Sequence, residues 1–221
     1  MPVFNEKETL IEIVEKVLAM PMVFELLIVD DGSTDGTREI LQELNSQERV
    51  RVIFKEVNQG KGSAVSMGIR SAKGDVILIQ DADLEYDPND YPALLKPIEE
   101  GLVDVVYGSR FLRKPEPKLY FFSRIANRIL TFTTNLLFGC KLTDMETCYK
   151  VFRKEVVEGI EIKAKRFDFE PEFTARIMKK KVSHTEVPVS FFPRSYEAGK
   201  KIGIKDGLEA LWTLIKYRFI D

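Results

Sequence analysis

Gly74-Asp75-Val76-Ile77-Leu78-Ile79-Gln80-Asp81-Ala82-Asp83-Leu84-Glu85 is the stretch whose reading decides the fold. The largely apolar, mostly branched run after Asp75 shows no polar alternation, the pattern of a strand buried on both faces of a parallel sheet. Acids follow where that strand leaves the core, and function in open α/β sheets tends to sit at such carboxyl ends. Asp81, Asp83 and Glu85 alternate, so an extended backbone would point all three carboxylates one way. Three like charges on one side need a cation. Hard oxygen ligands suit Mg²⁺ or Mn²⁺, which keep several waters and bind one or two carboxylates plus substrate phosphates. The stretch therefore reads as a metal site facing a diphosphate; the plainer alternative is a solvated acidic turn, since Asp-Ala-Asp alone is common.

Composition narrows the classes. A chain of 221 residues suits one domain with ample length for a core. Lys plus Arg total 33 against 35 Asp plus Glu, a net charge of -2 that makes nucleic acid no obvious partner. Cys140 and Cys148 are the two cysteines, which argues for a reducing compartment and no disulfide framework. Met1 is followed at once by Pro2-Val3-Phe4-Asn5-Glu6, so no signal peptide is expected. No apolar run reaches the roughly 18 to 20 residues of a spanning helix. The expectation is a cytosolic protein, or one lying on a membrane rather than through it.

In chain order, residues 1–5 read as the tail of a first strand with few residues to make it, followed by a helix over 6–20. A strand over 25–29 runs into Asp30-Asp31-Gly32-Ser33-Thr34-Asp35-Gly36-Thr37, which opens a helix over 38–46 with Thr34, Asp35 or Thr37 as cap. Two acids at a strand end suit hydrogen bonds from ring N–H groups and ribose hydroxyls. An ordinary helix cap explains Ser33 and Thr34 equally well, but not the pair Asp30 and Asp31. A third strand, over 50–57, ends at Asn58-Gln59-Gly60-Lys61-Gly62-Ser63-Ala64. Glycines before a helix N-terminus let backbone approach an anion, and Lys61 adds a charge suited to a diphosphate. The loop is neither a Walker A nor a GxGxxG sequence, so ATP hydrolysis and a dinucleotide cofactor lose support.

After the acids come a helix to residue 98 and a strand over 103–107 ending in Gly108-Ser109-Arg110. The alternation of strands and helices predicts a right-handed, mostly parallel sheet, with a change of character near Arg110. Over 118–138 an oversized apolar face, including Phe121, Phe122, Ile125, Ile129, Phe132 and Leu136, is interrupted by Arg124, Arg128 and Asn135. It suits a helix packed on the sheet or in a dimer interface, or an interfacial membrane helix. Acids at Asp144 and Glu146 precede a strand over 149–152, and a helix opens after Arg166 and runs to 180. An extended, proline-limited edge strand is expected over 187–194, then a basic loop with Lys200 and Lys201, then a helix over 206–219 carrying Leu208, Trp212, Ile215 and Phe219.

Taken in order, Pro2-Val3-Phe4-Asn5-Glu6, Val29-Asp30-Asp31-Gly32-Ser33-Thr34-Asp35-Gly36-Thr37, Asn58-Gln59-Gly60-Lys61-Gly62, Asp81-Ala82-Asp83, Gly108-Ser109-Arg110 and Glu186-Val187-Pro188 with Arg194 make the chain resemble the family 2 glycosyltransferases. Within them it is similar to polyprenol-phosphate sugar synthases of the dolichol-phosphate mannose synthase kind. The resemblance implies an α/β, GT-A type fold: a Rossmann-like, mostly parallel central sheet flanked by helices, with C-terminal amphipathic helices. It implies a single domain over 1–221, with 1–110 binding a nucleotide sugar and 111–221 facing acceptor and membrane. It also implies inversion at the anomeric carbon and a divalent cofactor, Mn²⁺ or Mg²⁺. Pro2, Asn5, Glu6, Asp30, Asp31, Lys61 and Asp81 match positions that hold the nucleotide, Asp83 matches the metal ligand, and Glu85 is a second candidate ligand. Arg110, Arg124 and Arg194 look like the family's basic acceptor-side residues, which suit an anionic lipid phosphate. Two departures stand out: the first strand is nearly absent, so the chain starts upstream of Met1 or that edge is frayed, and no membrane-spanning helices follow.

The function implied is transfer of a hexose, mannose from GDP-mannose, to a polyprenyl (dolichyl) phosphate at the cytosolic membrane face, through peripheral membrane contact. A phosphate acceptor, with a second pKa near 6, needs positioning more than deprotonation. The alternative is transfer from UDP-glucose or UDP-N-acetylglucosamine to a polyprenyl phosphate or a sugar hydroxyl. A hydroxyl needs a general base, for which Asp144 or Glu146 is the candidate. A reading from another class is a non-catalytic scaffold that binds nucleotide sugar; intact Asp31, Lys61, Asp81 and Asp83 argue against it.

Overall fold

The structure, a computed structural model, describes residues 1–113, 121–193 and 203–220. Among the described residues, seven strands and seven α-helices follow in the order β1 (Pro2–Val3), α1 (Leu10–Leu18), β2 (Leu26–Asp30), α2 (Thr37–Leu44), β3 (Val50–Phe54), α3 (Lys61–Ser71), β4 (Val76–Leu78), α4 (Tyr91–Glu99), β5 (Val105–Ser109), α5 (Phe121–Phe138), β6 (Lys150–Arg153), α6 (Phe169–Lys179), β7 (His184–Pro188) and α7 (Ile204–Phe219). Helices form where apolar positions recur at helical spacing. In α1, Leu10, Ile13, Val14 and Val17 are buried together on one face. That helix begins four residues later than the sequence predicts: the N–H groups of Glu6 and Lys7 are held by Thr37 and Asp35, residues 6–9 form a turn, and the Thr9 hydroxyl donates to Ala82 O (2.8 Å) and Glu6 Oε2 (2.9 Å).

The sheet comes in two pieces. β1, β2 and β3 form a parallel three-stranded sheet, with Pro2 opposite Val29 and Leu26 opposite Val50. The second sheet has the order β4-β6-β5-β7, in which β6 runs antiparallel to both neighbours and β7 parallel to β5. Most pairings are parallel, as predicted, and β6 supplies the antiparallel ones. With only two residues, β1 makes no ladder with β4. An apolar cleft of about 180 Å³ opens there, lined among others by Pro2, Leu27, Val29, Ile77 and Ile79. This corrects the expectation of a doubly buried strand at 76–79: Val76, Ile77 and Leu78 are each only partly buried, with the cleft alongside them.

The edge strand expected over 187–194 lies earlier, over His184–Pro188, and beyond it Val189 N still donates to Ser109 O at 3.1 Å. On the other side of the second sheet, Phe169 and Phe173 of α6 pack under Phe152 of β6. α7 packs against both α5 and α6. The apolar stretch after residue 120 is one helix, α5, and among the described residues no helix is long and apolar enough to cross a membrane.

Candidate active site

The ends of β1 and β2 and the turn before α2 are stitched together by side chains. Asn5, in the left-handed region at φ 56°, accepts from Thr34 N (2.8 Å) and its own N–H donates to Ser33 Oγ (3.0 Å). Glu6 N donates to Thr37 Oγ1, and Asp35 accepts from the Thr37 N–H and hydroxyl. None of the three expected residues is the cap: that position is Gly36, in the left-handed region at φ 100°, and Asp35 braces the turn from the residue before it. Pro2 sits in β1 against Val29, directly before this knot.

Asp30 and Asp31, both buried, are held differently. Asp30 accepts from Ser33 N through Oδ1 (3.1 Å), while its buried Oδ2 finds no hydrogen-bond partner among the described residues, with Arg38 Nε 3.5 Å away. Asp31 accepts from Gln59 N and Gly60 N (2.6 Å to the latter) and pairs with the buried ammonium of Lys55. The second acid therefore anchors the glycine loop.

That loop is tighter than its sequence suggests. A Cβ on Gly60, where φ is +96°, would stand 2.3 Å from Lys165 O, and one on Gly62 would stand 2.8 Å from Ala164 O. Gly62 N donates to Arg166 O and Ser63 N to Lys165 O. The glycines expected to admit an anion instead admit the 163–166 segment, and their N–H groups are spent on Asp31 and on that segment's carbonyls. Glu172 secures the segment from α6 by accepting from Lys163 N and Ala164 N.

Lys61 bridges Asp81 (2.9 Å) and Glu170 (3.0 Å). Burial works against its ammonium, yet the two carboxylates hold its pKa well above the ordinary lysine value. Burial would likewise raise Asp81, but Lys61 beside it holds it below the usual carboxylate range. The segment after β4 does not stay extended: the chain bends from Ala82 on, and Leu84 takes φ 59°. The predicted common direction of Asp81, Asp83 and Glu85 is lost with it, and among the described residues no group of three acids, histidines or cysteines could surround an ion. Asp83 Oδ1 accepts from Glu85 N at 3.1 Å. With Asp81 engaged by Lys61, Asp83 and Glu85 offer one or two hard oxygens, a donor set that fits Mg²⁺ or Mn²⁺ when a diphosphate and waters complete the shell.

On the facing side Arg110, at the end of β5, forks onto Asp144 through Nε (2.7 Å) and Nη2 (2.8 Å) and stacks 5.1 Å above the Phe191 ring. Asn127 of α5 also donates to Asp144 (2.6 Å). Asp144 is 0% exposed. Burial opposes its charge, but Arg110 and these hydrogen bonds hold its carboxyl below the usual range. As a general base it is therefore poorly placed. Two residues along, Glu146 is the reverse: its buried Oε1 finds no hydrogen-bond partner among the described residues, and burial, then the nearby charge of Glu170, pushes its pKa up to about 8. Arg124 lies partly buried on α5. Arg194, Lys200 and Lys201 lie outside the described residues.

Three groups were given no role in the sequence reading, although Gln80 and Glu186 lie in stretches it quotes. Glu170 reaches Lys61 from the first turn of α6. Glu186 of β7 receives Thr143 N and Asp144 N, fixing the turn that carries Asp144. Gln80 accepts from the hydroxyls of Tyr91 and Tyr149, both at 2.7 Å, and donates to Asp81 O. A buried glutamine directly before two acids was the signal for the last; the other two depend on contacts between distant elements.

Residues 1–160 match the family model described as Glycosyl transferase family 2. The chain belongs to glycosyltransferase family 2. Relatives of this glycosyltransferase include a dolichol-phosphate mannosyltransferase of Pyrococcus furiosus, 31% identical over 225 residues, covering 98% of this chain and 63% of the relative. A dodecaprenyl-phosphate galacturonate synthase of Rhizobium johnstonii is 29% identical over 184 residues, covering 80% of this chain and 54% of the relative. The glycosyltransferase thus spans less than two thirds of the length of these relatives. Glucosyl-3-phosphoglycerate synthase from Mycobacterium tuberculosis, solved with Mn²⁺, UDP-glucose and phosphoglyceric acid, superposes with a TM-score of 0.72 at 20% identity over 100% of this chain and 78% of that one. The fold is GT-A-like.

Proposed function

We propose that this glycosyltransferase moves mannose from GDP-mannose to a polyprenyl phosphate at a membrane surface, with inversion at the anomeric carbon. The observation that carries the phosphate acceptor is the state of Asp144. A hydroxyl acceptor must lose a proton as it attacks, and Asp144 is a buried, charge-paired carboxylate with a depressed pKa. An acceptor phosphate is already ionised near neutral pH and needs cations and orientation instead. Arg110, fixed by Asp144 and Phe191, gives the acceptor side a positioned positive charge. Leu112 and Phe192, exposed beside Arg110 and Phe191, offer apolar contact for a prenyl chain and the membrane surface. The names of the relatives, two of which act on dolichol or dodecaprenyl phosphate, support the same acceptor class.

On the donor side, the unsatisfied Asp30 Oδ2 is stabilised by any N–H or O–H that a base or ribose brings to it. Asp31, paired with Lys55, keeps the 59–60 turn in place. Asp83, with Glu85, would hold Mn²⁺ or Mg²⁺, which when bound neutralises charge growing on the leaving diphosphate. Lys61 is kept fully charged by Asp81 and Glu170 at the same edge.

Thermal stability with Mn²⁺ plus GDP-mannose or UDP-glucose tests the donor, since a ligand bound only by the folded state raises the melting temperature. Stabilisation by the guanosine donor, followed by label transfer to polyprenyl phosphate, is the expected result. Stabilisation by the uridine donor alone overturns mannose. Loss of at least roughly 100-fold of transfer in Asp83→Ala is expected for a metal ligand; binding without turnover in the wild type would instead identify a nucleotide-sugar scaffold. One observation favours a second reading: Glu146, with a pKa of about 8, is tuned as a base for a sugar hydroxyl. Transfer to a soluble hydroxyl acceptor that is lost in Glu146→Gln would establish it.

A further inference from the structure

The turn over residues 81–85, on which Asp83 and Glu85 sit, is held in an unfavourable shape. Leu84 takes φ 59°, a left-handed conformation that crowds any residue with a Cβ. Such a residue persists only where its surroundings over-determine it. On the entry side of the turn, Gln80 Nε2 donates to Asp81 O (2.9 Å) and the Thr9 hydroxyl donates to Ala82 O (2.8 Å). On the exit side, Phe192 N donates to Glu85 O (2.8 Å), and Tyr86 forms an antiparallel bridge with Phe191.

One buried cluster supports both sides. Gln80 is 3% exposed, and its Oε1 takes the hydroxyls of Tyr91, from α4, and Tyr149, directly before β6, each at 2.7 Å. Burial raises the pKa of both phenols, so both stay O–H donors. Two donors on Oε1 settle which way the amide faces, and its N–H is thereby aimed at Asp81 O. The Tyr149 ring meanwhile lies 4.7 Å from that of Tyr86, whose hydroxyl accepts from Cys148 N at 3.2 Å. Tyr149 thus reaches the entry of the turn through its hydroxyl and the exit through its ring.

Filling the core does not require these polar atoms. Phe at each tyrosine and Met at the glutamine would occupy nearly the same volume without desolvating them. What a fully satisfied buried network adds is a single geometry. The oxygens whose geometry this one settles are those of the turn between its two supports.

We propose that Gln80 and Tyr149 are positioning residues for the transfer reaction, clamping the 81–85 turn so that Asp83 and Glu85 are presented to the metal in one arrangement. The proposal rests on the assignment of Asp83 and Glu85 as metal ligands made above.

The test replaces the network as a unit. In Gln80→Met with Tyr91→Phe and Tyr149→Phe the three side chains lose their polar atoms together, so the cooperative melt should survive. Mn²⁺ affinity in the presence of GDP or UDP, read from the electron paramagnetic resonance of the free ion, should fall roughly 10- to 100-fold, as when a group that orients a metal ligand is removed. In the metal-free protein, hydrogen exchange should quicken at Glu85 N–H, which donates to Asp83 Oδ1. Should the triple variant not fold, Tyr149→Phe removes one hydroxyl, keeps the ring, and should move both readouts the same way by less. A merely structural role would shift the melt and leave metal affinity where it was; unchanged affinity or unchanged exchange at Glu85 overturns the proposal. A wild type that takes up no Mn²⁺ with either nucleotide removes the metal assignment and the proposal together, whereas a wild type and a variant that bind equally well remove the proposal alone.

Discussion

At the scale of single residues, the molecule uses charge mostly to hold charge. Arg110 and Asp144 illustrate the cost of undoing this. Asp144→Asn leaves a buried guanidinium without its counter-ion, and a loss of about 3–5 kcal/mol is expected in urea unfolding. Removing the pair together, as Arg110→Met with Asp144→Leu, should cost much less. Glu146 gives a pH signature. Its folded pKa of about 8 lies above the value of 4.5 for the free side chain, so between these values the folded state holds the extra proton. Stability contributed by this group is full below about 4.5 and is lost as pH rises toward 8. Glu146→Gln should therefore stabilise the protein at pH 8.5 and change it little at pH 5, a difference that denaturant melts at the two values would reveal. The acids of the site were legible as a set because Asp30, Asp31, Asp81 and Asp83 cluster beside apolar runs. Their employment was not. Whether Asp31 meets a base or anchors Gly60, and whether Arg110 faces a phosphate or Asp144, is decided by residues far away in sequence.

At the scale of elements, the helices were readable because their buried faces repeat every three to four residues, while the strands, at two to five residues, were readable mainly in position. The glycine loop before α3 shows where local reading stops. Sequence shows that Gly60 and Gly62 admit something close; only the fold shows that it is the 163–166 segment. Gly60→Ala would place a methyl group 2.3 Å from a carbonyl oxygen, in a backbone region that favours glycine. A loss of roughly 3 kcal/mol or more is expected, with faster hydrogen exchange at Gly62 and Ser63, whose N–H groups bind that segment. Lys61 moves with the loop, so the same variant should bind donor more weakly than its stability loss alone accounts for. If exchange at Gly62 stays slow, the two segments are not coupled in this way.

For the whole molecule, the α/β architecture and its mostly parallel pairing followed from the order of strands and helices. The division of the sheet did not, because a gap between β1 and β4 depends on how far a two-residue strand can reach. That gap separates the residues proposed for the donor: Asp30 and Asp31 belong to one sheet, Asp81 and Asp83 follow a strand of the other. Few side-chain links span it, among them Thr9 to Ala82 and Lys61 to Asp81. A nucleotide diphosphate held at both ends would therefore act as a brace, supplying across the gap the stiffness that missing ladder bonds withhold. Its binding should slow hydrogen exchange along β4 and at Val3 of β1 alike, so that the domain is most rigid with the nucleotide bound and most compliant once the diphosphate has left.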